Sequence, residues 1–319
     1  MSEVNEIVHP DIIGQYTIEE SLNYASYKVH NTKIVMVGYN KEAFYFYVNG
    51  KKVLSRSPGT CLYGEYEFLR IACCDKYFAV TYWDCIDRQI RSTTLLLDYS
   101  GNLIWLNEEY PSSNIEYADI DIKDKYGLIV AYYGKLMWYR FDGTIKICNI
   151  ETDKCNRAKS NSCVRWTSSG NIVLAQDDYI RIYKLTETVE SATPQNNFIT
   201  QIGTIPYKSL YEKYDNNGGT FILSKLNIDF DDDTIYYCCG AIVYRRKLYG
   251  PIISSHVAMG STFYALHTNN GLFWTWCEIK LQVVKLLSIT SDNISKWTEY
   301  INEEERKQRI AELDDCNIS

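Results

Sequence analysis

Imidazoles, clustered carboxylates and thiols are the groups through which this chain could move protons or hold a metal, and each is thinly spread. The histidines are His9, His30, His256 and His267. General acid–base work needs a group of suitable pKa within hydrogen-bond reach of the reacting atom. His256 and His267 share the last strand-rich stretch, where they would approach each other across neighbouring strands as a base or a metal pair. The acidic run Asp229-Phe-Asp-Asp-Asp233, with Asp119 and Asp121 earlier, invites a calcium reading. Its spacing lacks the glycine and distal glutamate of an EF-hand loop. Asp121 and Asp229 instead occupy equivalent strand positions, where a carboxylate is expected to brace a neighbouring turn by accepting backbone N–H groups. Arg245-Arg-Lys247 is the one compact basic cluster. Standing alone, it reads as a solvated strand edge rather than a nucleic-acid stripe.

The eleven cysteines are scattered, with no CxxC. The adjacent pairs Cys73-Cys74 and Cys238-Cys239 sit in strand runs, so their thiols point to opposite faces and cannot easily share a metal. Reduced thiols filling gaps in the core are the expectation. No GxxxxGK[ST], GxSxG or HExxH sequence occurs, so phosphate-cradling and familiar hydrolase signatures are missing. No catalytic residue, metal or cofactor is assigned on this basis.

The elements that must position any site follow from a repeat. Six apolar runs, each behind a polar turn, recur at Lys33–Gly38, Tyr77–Tyr82, Gly127–Tyr132, Asn171–Gln176, Thr234–Cys239 and Thr262–His267. The turns fall at Asn31, Asp75, Asp124, Ser169, Asp232 and Gly260, at intervals of 44, 49, 45, 63 and 28 residues. A period in the mid-forties is that of four short strands forming one propeller blade. In the third repeat, strand a is Ile115–Ile122, strand b Leu128–Tyr132 and strand c Leu136–Arg140; Asp142-Gly143 then turns into strand d, Thr144–Ile150. Asp-Gly or Asn-Gly between alternating strands is a strong hairpin signal. Asn49-Gly50 plays that part in the first repeat and Ser100-Gly101 in the second. The b strands, three to five apolar residues in a row, are expected to be innermost and covered on both faces.

In the fourth repeat, Ser162–Leu185 resembles the core of a WD-repeat blade. A valine-bearing strand meets a Ser-Gly turn, a small apolar strand and an Asp turn. The strand that follows ends in an aromatic, with Tyr183 where that family has tryptophan. No Gly-His dipeptide opens a blade, and the one Trp-Asp pair, Trp83-Asp84, lies at the far end of strand b. The resemblance spans about residues 20–290 and implies a β-propeller without a particular function.

The expected architecture is therefore all-β: a propeller of six or seven four-stranded blades over residues 1–290, followed by a helical tail over 291–319. The blades fall at 20–57, 66–109, 115–150, 162–204, 220–250 and 253–289. The long fourth interval suggests an insertion at 186–220. The short fifth one suggests a blade without its outer strand, and Ile12–Glu19 is free to supply an edge or pair with the last blade. The last strand is placed at Ile279–Leu287. The tail reads as a helix capped by Ser291 or Asp292. Ile294, Trp297 and Ile301 line the face expected to dock, while Ile310 and Leu313 look the other way.

The chain has 319 residues, 46% of them hydrophobic, a net charge of −7 and 28 tyrosines. That charge disfavours a phosphate backbone as partner. No apolar run reaches the ~18 residues of a membrane span, and the acidic N-terminus lacks a signal-peptide core, so an intracellular, cytoplasmic location is expected. The proposed d–a loops carry Tyr63, Tyr66, Tyr110, Tyr207, Tyr211, Tyr214 and Tyr249. Tyrosine is enriched at interface centres. The first functional expectation is a scaffold or adaptor that binds a protein partner through these loops, with Ile310 and Leu313 contributing. The second is an enzyme or small-molecule-binding propeller with its site in the central channel, using His256, His267 or Asp229–Asp233. The third is a structural part of a viral or ribonucleoprotein assembly.

Overall fold

The computed structural model describes residues 11–57, 69–86, 89–109, 118–132, 134–150, 163–176, 179–186, 198–206, 228–231, 234–239, 242–248, 252–257 and 272–290. The helical tail, Thr262–His267 and the tyrosine-bearing loops lie outside these residues. The chain divides into two compact units, one of Gln15–Leu226 with Cys277–Val284, the other of Met1–Gly14, Asn227–Trp276 and Lys285–Ser319.

After β1 (Asp11–Thr17), the larger unit contains four antiparallel meanders. Blade 1 is β2 (Tyr24–His30), β3 (Lys33–Tyr39), β4 (Phe44–Val48) and β5 (Lys51–Arg56). Blade 2 is β6 (Arg70–Cys73), β7 (Tyr77–Ile86), β8 (Gln89–Asp98) and β9 (Leu103–Glu109). Blade 3 is β10 (Asp119–Lys123), β11 (Gly127–Tyr132), β12 (Lys135–Tyr139) and β13 (Ile145–Asn149). Blade 4 is β14 (Cys163–Trp166), β15 (Ile172–Gln176), β16 (Tyr179–Leu185) and β17 (Ile199–Pro206). In each sheet the strand order is the chain order. The first strands neighbour one another in sequence, β2 beside β6, β6 beside β10 and β10 beside β14. Sheets stacked in chain order with their first strands side by side are propeller blades.

That neighbouring corrects one expectation. The innermost strands are the first strands of each blade, and the apolar b strands come second. Strand b is hydrogen-bonded on both sides and covered on both faces, whereas the first strand has a free edge and tolerates polar residues. The covering alternates with the strand period. Leu128 and Val130 pack towards blade 2 with Leu96 and Ala79. Ile129 and Ala131 pack towards blade 4 with Ile172, Leu174 and Trp166. Between blades 1 and 2, Val35, Val37, Phe44 and Phe46 meet Phe78, Val80, Leu95 and Leu97. Blades 1 to 4 are thus cemented each to the next by a layer of buried side chains, the larger aliphatic and aromatic ones each worth roughly 1.5–3 kcal/mol.

The predicted hairpins form. Asn49 and Gly50 both have positive φ (48° and 77°), and the Asn49 side chain accepts the Ile34 N–H at 2.8 Å. At Asp142-Gly143 the aspartate accepts the Thr144 N–H at 2.9 Å while Gly143 has φ 89°. Asp98 likewise accepts from Ser100 and Asn102.

Three boundaries differ from the sequence reading. Ile199–Pro206, inside the expected insertion, is the outer strand of blade 4, paired with β16 through a bulge at Ile182/Tyr183. In the smaller unit, β18 (Ile228–Asp231), β19 (Thr234–Cys239), β20 (Ile242–Lys247) and β21 (Ile252–Val257) make a complete four-stranded sheet. The outer strand of the fifth repeat is Ile252–Val257, which pairs with β20 although the sequence reading opens the last blade there. Finally, Ile279–Leu287 is not one strand. β22 (Leu272–Lys280) and β23 (Val283–Thr290) form a hairpin turning at Leu281, which takes φ 59° and is 84% exposed. β1 joins these two in a three-stranded sheet ordered β1-β23-β22, so of the two roles open to the N-terminal stretch it takes pairing with the last strands.

Two glycines test the closeness of the blades. Gly101 and Gly143 share φ 89°, a conformation costing other residues about 1–2 kcal/mol. A Cβ at Gly101 would lie 2.4 Å from the Val53 carbonyl oxygen of blade 1, whereas one at Gly143 meets nothing within 4 Å. Gly101→Ala should therefore lower the thermal midpoint distinctly more than Gly143→Ala. Equal shifts would contradict the close contact of blades 1 and 2.

Candidate functional site

Two sets of polar groups in the larger unit link blade to blade along the inner strands and along the turns that follow them. On the inner strands β10 faces β14. β14 is the first strand of its sheet, so one row of its backbone groups has no ladder partner. The Asp119 carboxylate accepts the Val164 N–H at 2.8 Å, and the Asp121 carboxylate accepts the Trp166 N–H at 2.7 Å. Arg165 donates to Asp119 at 2.6 Å, and Arg70 of β6 approaches the other Asp119 oxygen at 3.8 Å. Asp119 is buried, 1% exposed. Burial pushes the Asp121 carboxyl above its ordinary range, although Arg165 and the Trp166 N–H pull it back. The expected aspartate brace exists at Asp121, and it grips the neighbouring inner strand rather than a turn.

On the turn face, the chain segments following β2, β6, β10 and β14 are linked in sequence. The Asp75 carboxylate receives His30 Nε2 and Asn31 Nδ2, both at 2.9 Å. Lys33 Nζ reaches the Asp75 carbonyl at 2.5 Å while lying 3.8 Å from the centre of the Tyr99 ring. Asp75 in turn donates its N–H to Asp124 at 3.0 Å, and Tyr126 donates its hydroxyl to the Ser168 carbonyl at 3.3 Å. The hydrogen bond from His30 is the main cause holding the Asp75 carboxyl below its usual range.

His30, Asp75 and Asp124 place one ligand atom each within 4.8 Å of one another. Sequence reading passed over this trio because its members stand about 45–50 residues apart. The available signal was the repeat itself, since Asp75 and Asp124 had already been marked as equivalent turn residues.

The residues singled out from sequence fare differently. Tyr63, Tyr66, Tyr110, Tyr207, Tyr211, Tyr214, Tyr249, Ile310 and Leu313 lie outside the described residues, as do His9, His267, Asp232 and Asp233. His256 falls on β21, Asp229 on β18 and Arg245–Lys247 on β20. Lys247 is exposed, with Nζ 3.5 Å from Thr234 Oγ1. Among the described residues Cys73, Cys74, Cys148 and Cys163 are in no disulfide. Burial pushes Cys73 and Cys74 up to about 12, so neither is a ready thiolate nucleophile.

The surface has a third feature. Leu103, Ile104 and Leu106 on β9, Ile145 and Ile147 on β13, and Ile202 on β17 are all exposed, on the outermost strands of blades 2, 3 and 4. Phe141, in the turn before β13, is exposed as well and lies 5.0 Å from the ring of Tyr77. Among the described residues no helix is long and apolar enough to cross a membrane.

No family model matches the chain, and no curated protein matches it. Solved structures do. A crystal structure of BBS1N in complex with ARL6DN is similar at 9% identity, covering 89% of this chain and 98% of that one, with TM-score 0.43. The Pan2 WD40 domain of Neurospora crassa is similar at 12% identity, covering 82% and 74%, with TM-score 0.42. The WD40 domain of SCAP from fission yeast is similar at 12%, covering 84% and 58%, with TM-score 0.40. The propeller assignment rests on the sheet order and the neighbouring first strands, not on these values.

The brace on β14 predicts unequal effects. Asp119→Ala leaves the Arg165 guanidinium, 13% exposed, without its carboxylate, and should cost about 3–5 kcal/mol. Asp121→Asn keeps an acceptor for the Trp166 N–H and removes a charge that burial disfavours. It should be neutral or mildly stabilising at neutral pH, while Asp121→Ala destabilises. The sign follows from linkage. A carboxyl whose folded pKa is raised opposes folding at neutral pH, and the opposition fades as pH falls through that raised value. The Asn variant should therefore show its advantage at pH 7 and lose it in acid. Denaturant unfolding at both pH values checks this, and a large loss for Asp121→Asn would contradict it.

Proposed function

We propose that this chain is a protein-interaction propeller, a scaffold or adaptor that works inside the cell. The observation that carries the proposal is the exposed apolar set on the outer strands, Leu103, Ile104, Leu106, Ile145, Ile147 and Ile202. Large apolar residues gathered on strand edges mark binding surfaces or aggregation hazards. A partner's side chains or an added strand would cover them. The tyrosine-bearing loops, with Tyr63, Tyr66, Tyr110, Tyr207, Tyr211, Tyr214 and Tyr249, are the second surface of the same proposal, with Ile310 and Leu313 on the tail.

The two surfaces separate experimentally. A double change, Ile145→Glu with Ile147→Glu, alters exposed positions only and should leave thermal stability within about 0.5 kcal/mol of the parent. Tyr207→Ser with Tyr211→Ser addresses the loop surface. Tagged parent and variant proteins are used to capture partners, which are then quantified by mass spectrometry. Loss of the same protein partner in one folded variant supports the proposal and says which surface binds. Capture profiles identical to the parent for both variants would overturn it.

A further inference from the structure

We propose that His30, Asp75 and Asp124 form a binding site for a divalent cation of the zinc type, fastening blades 1, 2 and 3 together at their first turns. Three ligand atoms from three turns, distant in sequence, lie within 4.8 Å of one another. Around a tetrahedral ion with bonds of about 2.0–2.2 Å, neighbouring ligand atoms stand about 3.4 Å apart. Closing that gap asks for movement of the Asp75 and Asp124 side chains, both exposed, against a half-buried His30. The fold has already done the costly part, which is bringing the three turns together.

The donor set chooses the ion. One imidazole nitrogen and two carboxylates suit a borderline cation such as Zn²⁺, whereas calcium and magnesium prefer all-oxygen shells. Three protein ligands facing solvent leave positions for water. His30 Nε2 stands 2.9 Å from Asp75 Oδ1, so a metal bound there would take over a contact these two atoms already make. Asp124 accepts the Asp75 N–H through Oδ2 and is also hydrogen-bonded to the Cys74 side chain, a contact the ion would have to compete with. The nearby Lys33 ammonium is directed at the Asp75 carbonyl and the Tyr99 ring, so it tempers the affinity without filling the site. Such a site would tie three successive blades by bonds stronger than the hydrogen bonds now joining them.

The test uses variants that keep those hydrogen bonds. In His30→Gln the amide N–H still donates to Asp75, and in Asp124→Asn the amide oxygen still accepts from it. Zinc chloride is titrated into the full chain by calorimetry, with EDTA-treated protein and circular dichroism as folding controls. The parent should bind one equivalent that both variants lose or bind at least about tenfold more weakly, while any equivalents held by cysteines persist. Cobalt(II) gives the second readout, on the parent alone. It should produce visible ligand-field bands in excess of any cysteine-bound metal, without an added thiolate-to-cobalt charge-transfer band. Parent-like zinc binding in both variants, no zinc uptake by the parent, or a cobalt spectrum of thiolate type only would overturn the proposal.

Discussion

A sheet that begins with an unpaired inner strand leaves backbone donors without partners, and blades 3 and 4 meet that constraint with two carboxylates. Asp119 and Asp121 stand two residues apart on β10, so both point to the same side, as do the N–H groups of Val164 and Trp166 on β14. The spacing matches, and each carboxylate closes one donor. A buried backbone donor left open costs about 1–3 kcal/mol. Carboxylates also draw Arg165 and Arg70 to the same place, which joins β6, β10 and β14 through one buried charge. The register of blade 4 against blade 3 follows from this clasp, and the apolar layer behind it then has one way to fit.

That layer explains the apolar monotony of the second strands. Leu128–Ala131 divides its side chains between two neighbours, so every position is buried and the sequence shows no alternation. Trp166 illustrates the coupling of the two levels. Its N–H is held by Asp121, its ring packs at 5.2 Å from Tyr126, and its indole donates to the Gly127 carbonyl at 3.1 Å. One residue of blade 4 thereby touches the inner strand, the turn and the second strand of blade 3. The turn face repeats the scheme with exposed groups, where Asp75 and Asp124 carry the links from blade to blade. Exposed links of this kind contribute little stability individually and are free to serve a ligand.

How much of this the sequence carries depends on the range of the interaction. The blades, their hairpins and the WD-repeat resemblance were legible because turn chemistry at Asn49-Gly50 or Asp142-Gly143 and apolar runs are local. Asp121 was recognised as a bracing residue, yet its target, the Trp166 N–H of the next blade, was not. Strand pattern says which face a side chain takes and nothing about which edge lies opposite. The same limit misplaced the innermost strand: apolarity reports coverage on two faces, and that belongs to the second strand. Ile199–Pro206 was hidden because its exposed residues, Thr200, Gln201, Ile202 and Thr204 among them, show no strand alternation and read as an insertion. His30 was passed over as a lone histidine because its partners come from two other repeats.

The clasp between β10 and β14 is the claim on which the rest stands, and amide hydrogen exchange measures it directly. Val164 and Trp166 have no strand partner for their N–H groups, so only Asp119 and Asp121 can protect them. Protection comparable to that of the β15 ladder amides, in the folded protein at neutral pH, is the predicted result. Exchange at Val164 and Trp166 as fast as at an open strand edge would contradict the account.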